Sequence, residues 1–411
     1  MKFSTPADLS EEHDSFADDA VPKKPERLAR ADRPLQPWHK PRKQFVRREW
    51  VATVRRLMRE LRFQVGAPKI FRYFTLPAPE MLDIRTLEST AKKEAFRVQY
   101  VGFTDARDGS NDDRQLQLGQ ASLRAKDDWV HSESEILYYR LEDLAAGPSP
   151  VARQKLEQFG PFHAINIDLC DYLFAPGPRA RVLEALEQLI VVQTTRQHDD
   201  WLLFVATRFD SAQTCGIKFE RLKNAIAANC GASKEFKDGL DELLKVSAGG
   251  AEEIIANPTT LSQDHLRDVI CVGLTKWLTA ILLKASPPFE LEMLPTYVYA
   301  VDGSKQDMLS LVYRCCYRGS PAPVSGAIDI NPTSAATAAR EVALAIKALK
   351  QTRRLIDIDA RLAGDAVTRQ ELVDETIGLL RQANYDEAVL AGYSDWAAKE
   401  CEKAIPYVVI A

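Results

Sequence analysis

The sequence predicts an α/β protein with a mostly parallel, open sheet and helices on both of its faces. Short apolar runs alternate with helical stretches between about residues 71 and 317. Residues 41–62 carry apolar side chains at helical spacing, which predicts an amphipathic helix before this region. Two further β-like runs are separated only by a short polar turn, which predicts a C-terminal antiparallel hairpin. Apolar strands that alternate with helices are typical of a parallel sheet buried on both faces.

Strand and helix positions follow from the apolar pattern and its punctuation. The predicted strands are 71–77, 81–87, 97–103, 134–144, 163–170 and 201–209, with the hairpin formed by 295–303 and 307–318. The predicted helices are 112–126, 151–159, 178–195, 218–230, 234–246 and 262–284.

The flanking regions differ in composition from this α/β core. Residues 1–40 are polar and proline-rich, which predicts a disordered arm, and 41–70 hold the basic amphipathic helix. The α/β domain is predicted to span 71–330, with a helical extension over 331–411. In that extension we expect one helix over 334–356, one that starts at the Thr368-x-x-Glu371 capping box, and one over 386–403. The apolar run 405–411 is expected to dock on the core.

Charge is distributed unevenly near the N-terminus. Residues 1–20 carry six acids and one lysine, whereas residues 21–62 carry fourteen Lys/Arg and four acids. Such a basic block suits contacts with nucleic-acid phosphates or with an acidic protein partner. The candidate contacts are Lys40, Arg42, Lys43, Arg47, Arg48 and Arg55. The alternative is a solvated helix face whose apolar stripe packs on the domain.

Several classes of protein are disfavoured by composition. No apolar run reaches 18 residues, so no membrane span is expected. The N-terminus lacks the apolar segment of a signal peptide. The seven cysteines and six histidines show no ligand spacing, so we expect reduced thiols, no metal site and a cytoplasmic protein.

Acidic residues lie at or just after the predicted strand ends. Asp83 and Asp105 are 22 residues apart, Glu142 and Asp143 end the next strand, and Asp168 and Asp171 end the fourth unit. Ligands of open α/β sheets bind at the carboxyl ends of strands, and an acid about 20 residues after the first unit can accept hydrogen bonds from ribose hydroxyls.

This order of elements resembles the class I S-adenosylmethionine-dependent methyltransferases, whose Rossmann-like sheet ends in a reversed strand. The runs INIDLC and LLFVATRF also resemble uncharacterised methyltransferase-like proteins of bacterial mobile and defence loci. The resemblance implies S-adenosylmethionine as cofactor and transfer of its methyl group to an acceptor. It places Asp83, Arg85, Asp105, Glu142 and Asp143 around the cofactor, and it places Asp168, Cys170 and Asp171 beside the acceptor.

One departure from the family pattern leaves two hypotheses open. No glycine occurs from Leu82 to Tyr100, where the family has a glycine-rich turn. The site is therefore either rebuilt, or lost in a catalytically inactive scaffold of a defence or mobile-element assembly. In the second case Asp83 could pair with Arg85, Asp105 with Arg107, and the acids at 168 and 171 could cap a helix or bind a loop.

Overall fold

A computed structural model of the chain describes residues 33–106, 109–126, 128–145, 147, 151–175, 181–214, 216–301, 303, 305–319 and 334–402. Within these ranges, none of the helices combines the length and apolarity that a bilayer crossing requires.

A single mixed sheet organises the described part of the chain. Its strands are β1 (Lys69–Thr75), β2 (Phe96–Phe103), β3 (Glu135–Leu137), β4 (Ala164–Tyr172), β5 (Trp201–Arg208), β6 (Phe289–Met293), β7 (Tyr297–Tyr299), β8 (Met308–Tyr317) and β9 (Ile356–Asp357). They follow the order β3-β2-β1-β4-β5-β8-β7-β9, and β6 also pairs with β8. Strands β1 to β5 are parallel to their neighbours within this group, whereas β8 is antiparallel to β5, β6 and β7. The predicted open α/β sheet with a reversed C-terminal hairpin is thereby confirmed.

Helices cover both faces of the sheet, as predicted. One face carries α1 (Pro41–Glu60), α2 (Leu82–Thr86), α3 (Glu88–Glu94) and α4 (Asn111–Lys126), which share a core with β1 and β2. The other carries α5 (Val151–Phe159), α6 (Val182–Arg196), α7 (Gly216–Ala232), α8 (Lys234–Leu243), α9 (Gly250–Ile255), α10 (Gln263–Leu283) and α11 (Ser334–Thr352). The chain continues through α12 (Ile358–Gly364), α13 (Ala366–Gln382), α14 (Glu387–Ala391) and α15 (Tyr393–Glu402).

The alternation of side chains along β4 shows how the sheet separates two environments. Ile165 and Ile167 point into the core on the α10 side, whereas Ala164 packs in the core that α1 covers. Successive strand residues face opposite sides, so Asn166 and Asp168 share the α1 side with Ala164. Asp168 and Asp171 in the second half of β4 are polar residues in a largely apolar strand, which indicates a role other than packing for this part of it.

The segment 81–87 was predicted as a strand, and this prediction is wrong. Residues Leu82–Thr86 form α2. The strand before this helix is β1, an interior strand that pairs with both β2 and β4. The error has a physical source, because Leu82 packs against the C-terminal helices while Ile84 packs against the sheet. A short run buried on both sides has the same apolar pattern in a helix as in a strand.

The predicted helix α1 forms, but not as a separate region outside the domain. Phe45 packs edge-on against Tyr297 with ring centroids 5.9 Å apart, and Trp50 lies 5.2 Å from Phe204. Its apolar stripe therefore covers β5 and β7 directly. Residues 33–40, which were predicted as disordered, include a short 3-10 helix over Pro37–His39. Residues 1–32 lie outside the described part of the chain.

The C-terminal extension is helical, with three corrections. The helix predicted over 334–356 ends at Thr352, since 356–357 form β9 beside β7. Helix α13 begins at Ala366 because Asp365, not Thr368, is the N-cap and accepts a hydrogen bond from the Thr368 N–H at 2.9 Å. The helix predicted over 386–403 is split into α14 and α15. The apolar run 405–411 lies outside the described residues.

Candidate functional site

The sheet order reverses between β1 and β4, and a cleft opens at this point. β2 and β3 lie on one side of β1, whereas β4 and β5 lie on the other. The loops after β1 and β4 therefore leave in opposite directions and expose a crevice at the carboxyl ends of the strands. The cleft has a volume of about 340 Å³ and is lined by residues of β4, by residues at or after the ends of β1, β2 and β3, by residues of α4, and by Trp38. This volume lies in the range of small-molecule sites.

The loop after β1 stands where the methyltransferases have a glycine-rich turn. Pro77 and Pro79 line the cleft and offer no backbone N–H to it. The loop packs closely against β2 and α4 because these two neighbouring elements have glycines at the points of contact. A Cβ atom on Gly102 of β2 would stand 2.8 Å from Cγ of Pro77, and one on Gly119 of α4 would stand 2.8 Å from the Pro79 carbonyl oxygen.

Replacing Gly102 with alanine is expected to displace the Pro77 loop and to lower the free energy of unfolding by about 1–3 kcal/mol, the usual cost of overpacking. Chemical denaturation of the two proteins measures this. Gly378→Ala is the matched control, because a Cβ at Gly378 in α13 meets nothing within 4 Å. The control should keep or raise stability, since alanine favours helix. Equal stability of Gly102→Ala and wild type would show that the loop does not depend on this close contact.

Carboxylates dominate the polar lining of the cleft. Among the described residues, five acids line it, and Arg140 is the one cationic side chain in that lining. The acids are Asp105 after β2, Asp112 in α4, Glu142 after β3, and Asp168 and Asp171 in β4. Arg140 lies 3.7 Å from the Asp105 carboxylate, with both side chains more than half exposed. The cleft is thus strongly acidic at its surface.

Asp168 forms an ion pair with a lysine of α1. The Lys43 ammonium forms an ion pair with its carboxylate, and the side chains of Lys43 and Asp168 are 6% and 17% exposed. Burial would lower the pKa of Lys43, but the attraction of Asp168 outweighs it and raises this pKa. Lys43 also lies 5.2 Å from the Trp50 ring centroid. Lys43 is therefore charged at neutral pH and fixes Asp168 at the floor of the cleft.

Two of the predicted cofactor residues lie away from the cleft lining. Asp83 in α2 accepts hydrogen bonds from the Thr75 hydroxyl at 2.6 Å and the Tyr73 hydroxyl at 3.1 Å. Arg85 is buried and donates to the Glu80 carbonyl at 2.9 Å and to the Ser122 hydroxyl at 2.6 Å. Both side chains fix α2 against the sheet and α4. They were misplaced because 81–87 was taken for the first strand.

The remaining predicted site residues divide between lining and support. Asp105, Glu142, Asp168 and Asp171 line the cleft, as the strand-end argument predicted. Asp143 does not, since its carboxylate accepts a hydrogen bond from the Arg140 N–H at 2.8 Å. The side chain of Cys170 is outside the described part of the structure, as is Arg107.

Four basic residues at the start of α1 and just before it are buried, whereas those further along the helix are partly or fully exposed. Lys40, Arg42, Lys43 and Arg47 are each less than 7% exposed. Lys40 pairs with Glu400 at 2.7 Å, Arg42 pairs with Asp359, and Arg47 donates to the Trp38 carbonyl at 2.9 Å. The more exposed Arg48 and Arg55 pair with Glu371 at 3.2 Å and Glu94 at 2.6 Å. All six predicted contact residues have partners within this chain, and only Arg48 and Arg55 are exposed enough to reach another molecule, so the contact with nucleic acid or an acidic protein stays a prediction.

A buried acid that the sequence did not suggest holds the cleft loop in place. Glu80 accepts hydrogen bonds from Trp38 Nε1 at 3.0 Å and from the Tyr385 hydroxyl at 2.9 Å. Arg33 and His39 Nε2 each lie 3.4 Å from it. Burial would raise the pKa of Glu80, but its hydrogen bonds with His39, Trp38 and Tyr385 outweigh burial and lower it to about 2. Glu80 thus joins the loop after β1 to both ends of the described chain.

His39 is the neutral member of this cluster. Its Nδ1 accepts a hydrogen bond from the Gln36 N–H at 3.0 Å, so Nε2 carries the proton toward Glu80. Burial lowers its pKa and exceeds the opposing influence of Glu80. The sequence does not indicate that these residues meet, because Glu80 and Tyr385 are 305 positions apart.

No three His, Cys, Asp or Glu side chains in the described ranges are arranged to hold a metal ion. Comparison with protein families gives one match, in which a family model described as PP_RS20740-like covers residues 32–398. No curated protein matches the chain.

Proposed function

We propose that this chain, which belongs to the PP_RS20740-like family, is a divergent methyltransferase-like protein whose cleft binds S-adenosylmethionine or a related nucleoside. The observation that carries the proposal is a cleft of about 340 Å³ at the reversal of the strand order, with Asp105 in its wall just after β2. Open α/β sheets bind nucleosides at this point, and an acid after the second strand suits the ribose hydroxyls.

The chemistry of the lining favours a nucleoside that lacks phosphates. Phosphate recognition at such loops relies on backbone N–H groups at a helix N-terminus. Pro77 and Pro79 provide none, and five carboxylates around the cleft would repel a phosphate. S-adenosylmethionine has no phosphate and carries a net positive charge. Its charge suits this cleft, whereas that of a dinucleotide or nucleoside triphosphate does not.

Four of the five acids in the described lining have a role in the proposed site. Asp105 would accept hydrogen bonds from the ribose hydroxyls, and Glu142 after β3 lies where the base would be held. Asp168 and Asp171 lie across the reversal point, on the β4 side where an acceptor would enter. The bound nucleoside supplies a methyl group on a sulfonium. Methyl transfer depends mainly on alignment of the two reactants, so fixed carboxylates that orient the acceptor are more important than strong acids.

Isothermal titration calorimetry with S-adenosylmethionine tests the proposal. We expect binding by the full chain and at least about a tenfold loss of affinity in Asp105→Ala, because two hydrogen bonds to an ionised acceptor are lost. Asp374→Ala is the matched control, since Asp374 is an exposed acid of α13, outside the cleft. No heat of binding at millimolar ligand, or equal loss in both variants, would contradict the proposal.

The alternative is a catalytically inactive scaffold of a bacterial defence or mobile-element complex, contacting nucleic acid or a protein. One observation favours it. Asp168, the carboxylate that would orient or deprotonate an acceptor, is already paired with the buried Lys43. Nucleoside binding without methyl transfer to any acceptor would support a scaffold that retains the cleft as a regulatory site.

A further inference from the structure

An aromatic side chain shares the wall of the cleft with its carboxylates. Trp38 is partly exposed and lines the cleft, as do Asp168 and Asp171. Its indole is not free to turn, because Nε1 donates to Glu80 at 3.0 Å and the ring packs edge-on against His39 with centroids 5.8 Å apart. The hydrogen bond to an ionised, buried carboxylate fixes the ring more firmly than a bond to a neutral group would.

A fixed indole combined with carboxylates is the chemistry that proteins use to bind organic cations. The face of an indole attracts a cation, and it does so better than that of any other side chain. Carboxylates add charge and accept N–H donors in the plane of a guanidinium or from an ammonium. The described part of the lining also argues against a polyanion, because it holds five acids and one arginine.

We infer that the cleft, through Trp38, Asp168 and Asp171 of its lining, binds the cationic nitrogen group of a basic substrate, a guanidinium or an ammonium. The role of this cation as methyl acceptor rests on the proposed function, whereas its binding does not. Nucleic acid, the partner suggested by the basic N-terminal block, does not fit this cleft. Lys40, Arg42 and Lys43, three of the cations expected to contact phosphates, are buried against acids of the chain.

Lys43 and a backbone N–H hold the two carboxylates of this site in fixed orientations. The Lys43 ammonium pairs with Asp168 from the α1 side, so a carboxylate that lines the cleft is held in place. Asp171 is fixed locally, since its carboxylate accepts a hydrogen bond from the Tyr172 N–H at 2.8 Å. Two carboxylates that are held in place, with an aromatic ring in the same cleft, fit a planar guanidinium better than two freely rotating carboxylates would.

Two probes of the same shape separate charge from packing. Butylguanidine carries the cation, and butylurea is its neutral, planar isostere. We expect calorimetry or ligand-observed NMR with the full chain to show butylguanidine binding at least about tenfold tighter than butylurea. Binding should weaken as salt is raised, because the carboxylates at the mouth are screened. Equal binding of the two probes would overturn the inference, as would tighter binding of a single-stranded oligonucleotide that displaces butylguanidine.

Variants locate the site. Trp38→Leu should weaken butylguanidine binding about fivefold to tenfold, whereas Trp38→Phe keeps an aromatic face and should retain most of it. Asp171→Asn should weaken it by a similar factor and does not touch the Trp38–Glu80 contact, so it tests the site even if Trp38→Leu unfolds. Asp238→Asn, on the exposed face of α8, is the control and should bind as wild type does. Loss in the control, or no loss in Asp171→Asn and Trp38→Leu, would contradict the assignment.

The same titrations with S-adenosylhomocysteine present distinguish the two proposals. If butylguanidine binds but S-adenosylhomocysteine does not, the cation site stands and the nucleoside proposal falls. If only S-adenosylhomocysteine binds, the nucleoside proposal stands and the cation site falls.

Discussion

Replacing Glu80 with glutamine is expected to lower the free energy of unfolding by about 3 kcal/mol at pH 7. A carboxyl group whose pKa falls from 4.5 to about 2 on folding contributes this much when it is ionised. Glutamine keeps one oxygen acceptor but removes the charge that Trp38 and Tyr385 bind. It also brings an N–H group toward these two donors. Urea denaturation of both proteins measures the loss.

The loss of unfolding free energy in Glu80→Gln should also depend on pH. Because the folded pKa of Glu80 lies below its unfolded value, its contribution is present above about pH 4.5 and is lost as pH falls toward 2. The difference between wild type and Glu80→Gln should therefore shrink between pH 5 and pH 2.5. Glu371→Gln is the control, because Glu371 is an exposed partner of Arg48 and such pairs contribute little. A difference that stays constant with pH would show that the charge of Glu80 is not what stabilises the cluster.

Replacing Lys43 with methionine is the second large effect we expect. It leaves the Asp168 carboxylate, 17% exposed, without its cation, and an unpaired buried charge costs about 3–5 kcal/mol. Asp168 opens to the cleft, so the lower end of this range applies. Adding Asp168→Asn in the same protein should recover much of the loss, because no unpaired charge then remains.

A double-mutant cycle separates this interaction from general packing. We expect a coupling energy of about 2 kcal/mol for Lys43 and Asp168, and close to zero for the exposed pair Lys234 and Asp238, which lies at 2.6 Å. If the Lys43→Met loss were unchanged by Asp168→Asn, Lys43 would stabilise α1 through contacts such as that with Trp50 instead.

The fold was largely predictable because most strands have apolar runs of strand length. Helix α5 was predicted at its observed bounds, and β2, β4 and β5 within two residues. β6 was not predicted although its sequence FELEM alternates, because a run of five residues gives only a short periodic pattern. α2 was assigned to the wrong class, and the fact that β1 feeds the cleft was therefore missed.

The site was predictable only where strand ends determine it. Asp105, Asp168 and Asp171 lie in the cleft because the carboxyl ends of parallel strands meet at one edge. Glu80, Trp38 and Lys43 could not be placed from sequence, because each acts through a partner more than 40 positions away. The burial of the α1 cations was likewise hidden, since an isolated basic helix gives no indication of which acids it will meet.

Hydrogen–deuterium exchange of the full chain with and without S-adenosylhomocysteine tests the central claim most directly. A ligand at the reversal of the strand order should slow exchange in the peptides that cover 76–81, 104–106 and 139–142, which surround the cleft. It should leave α7 and α8, on the other side of the sheet, unchanged. Protection confined to other segments, or no protection at saturating ligand, would contradict the assignment of this cleft as a nucleoside site.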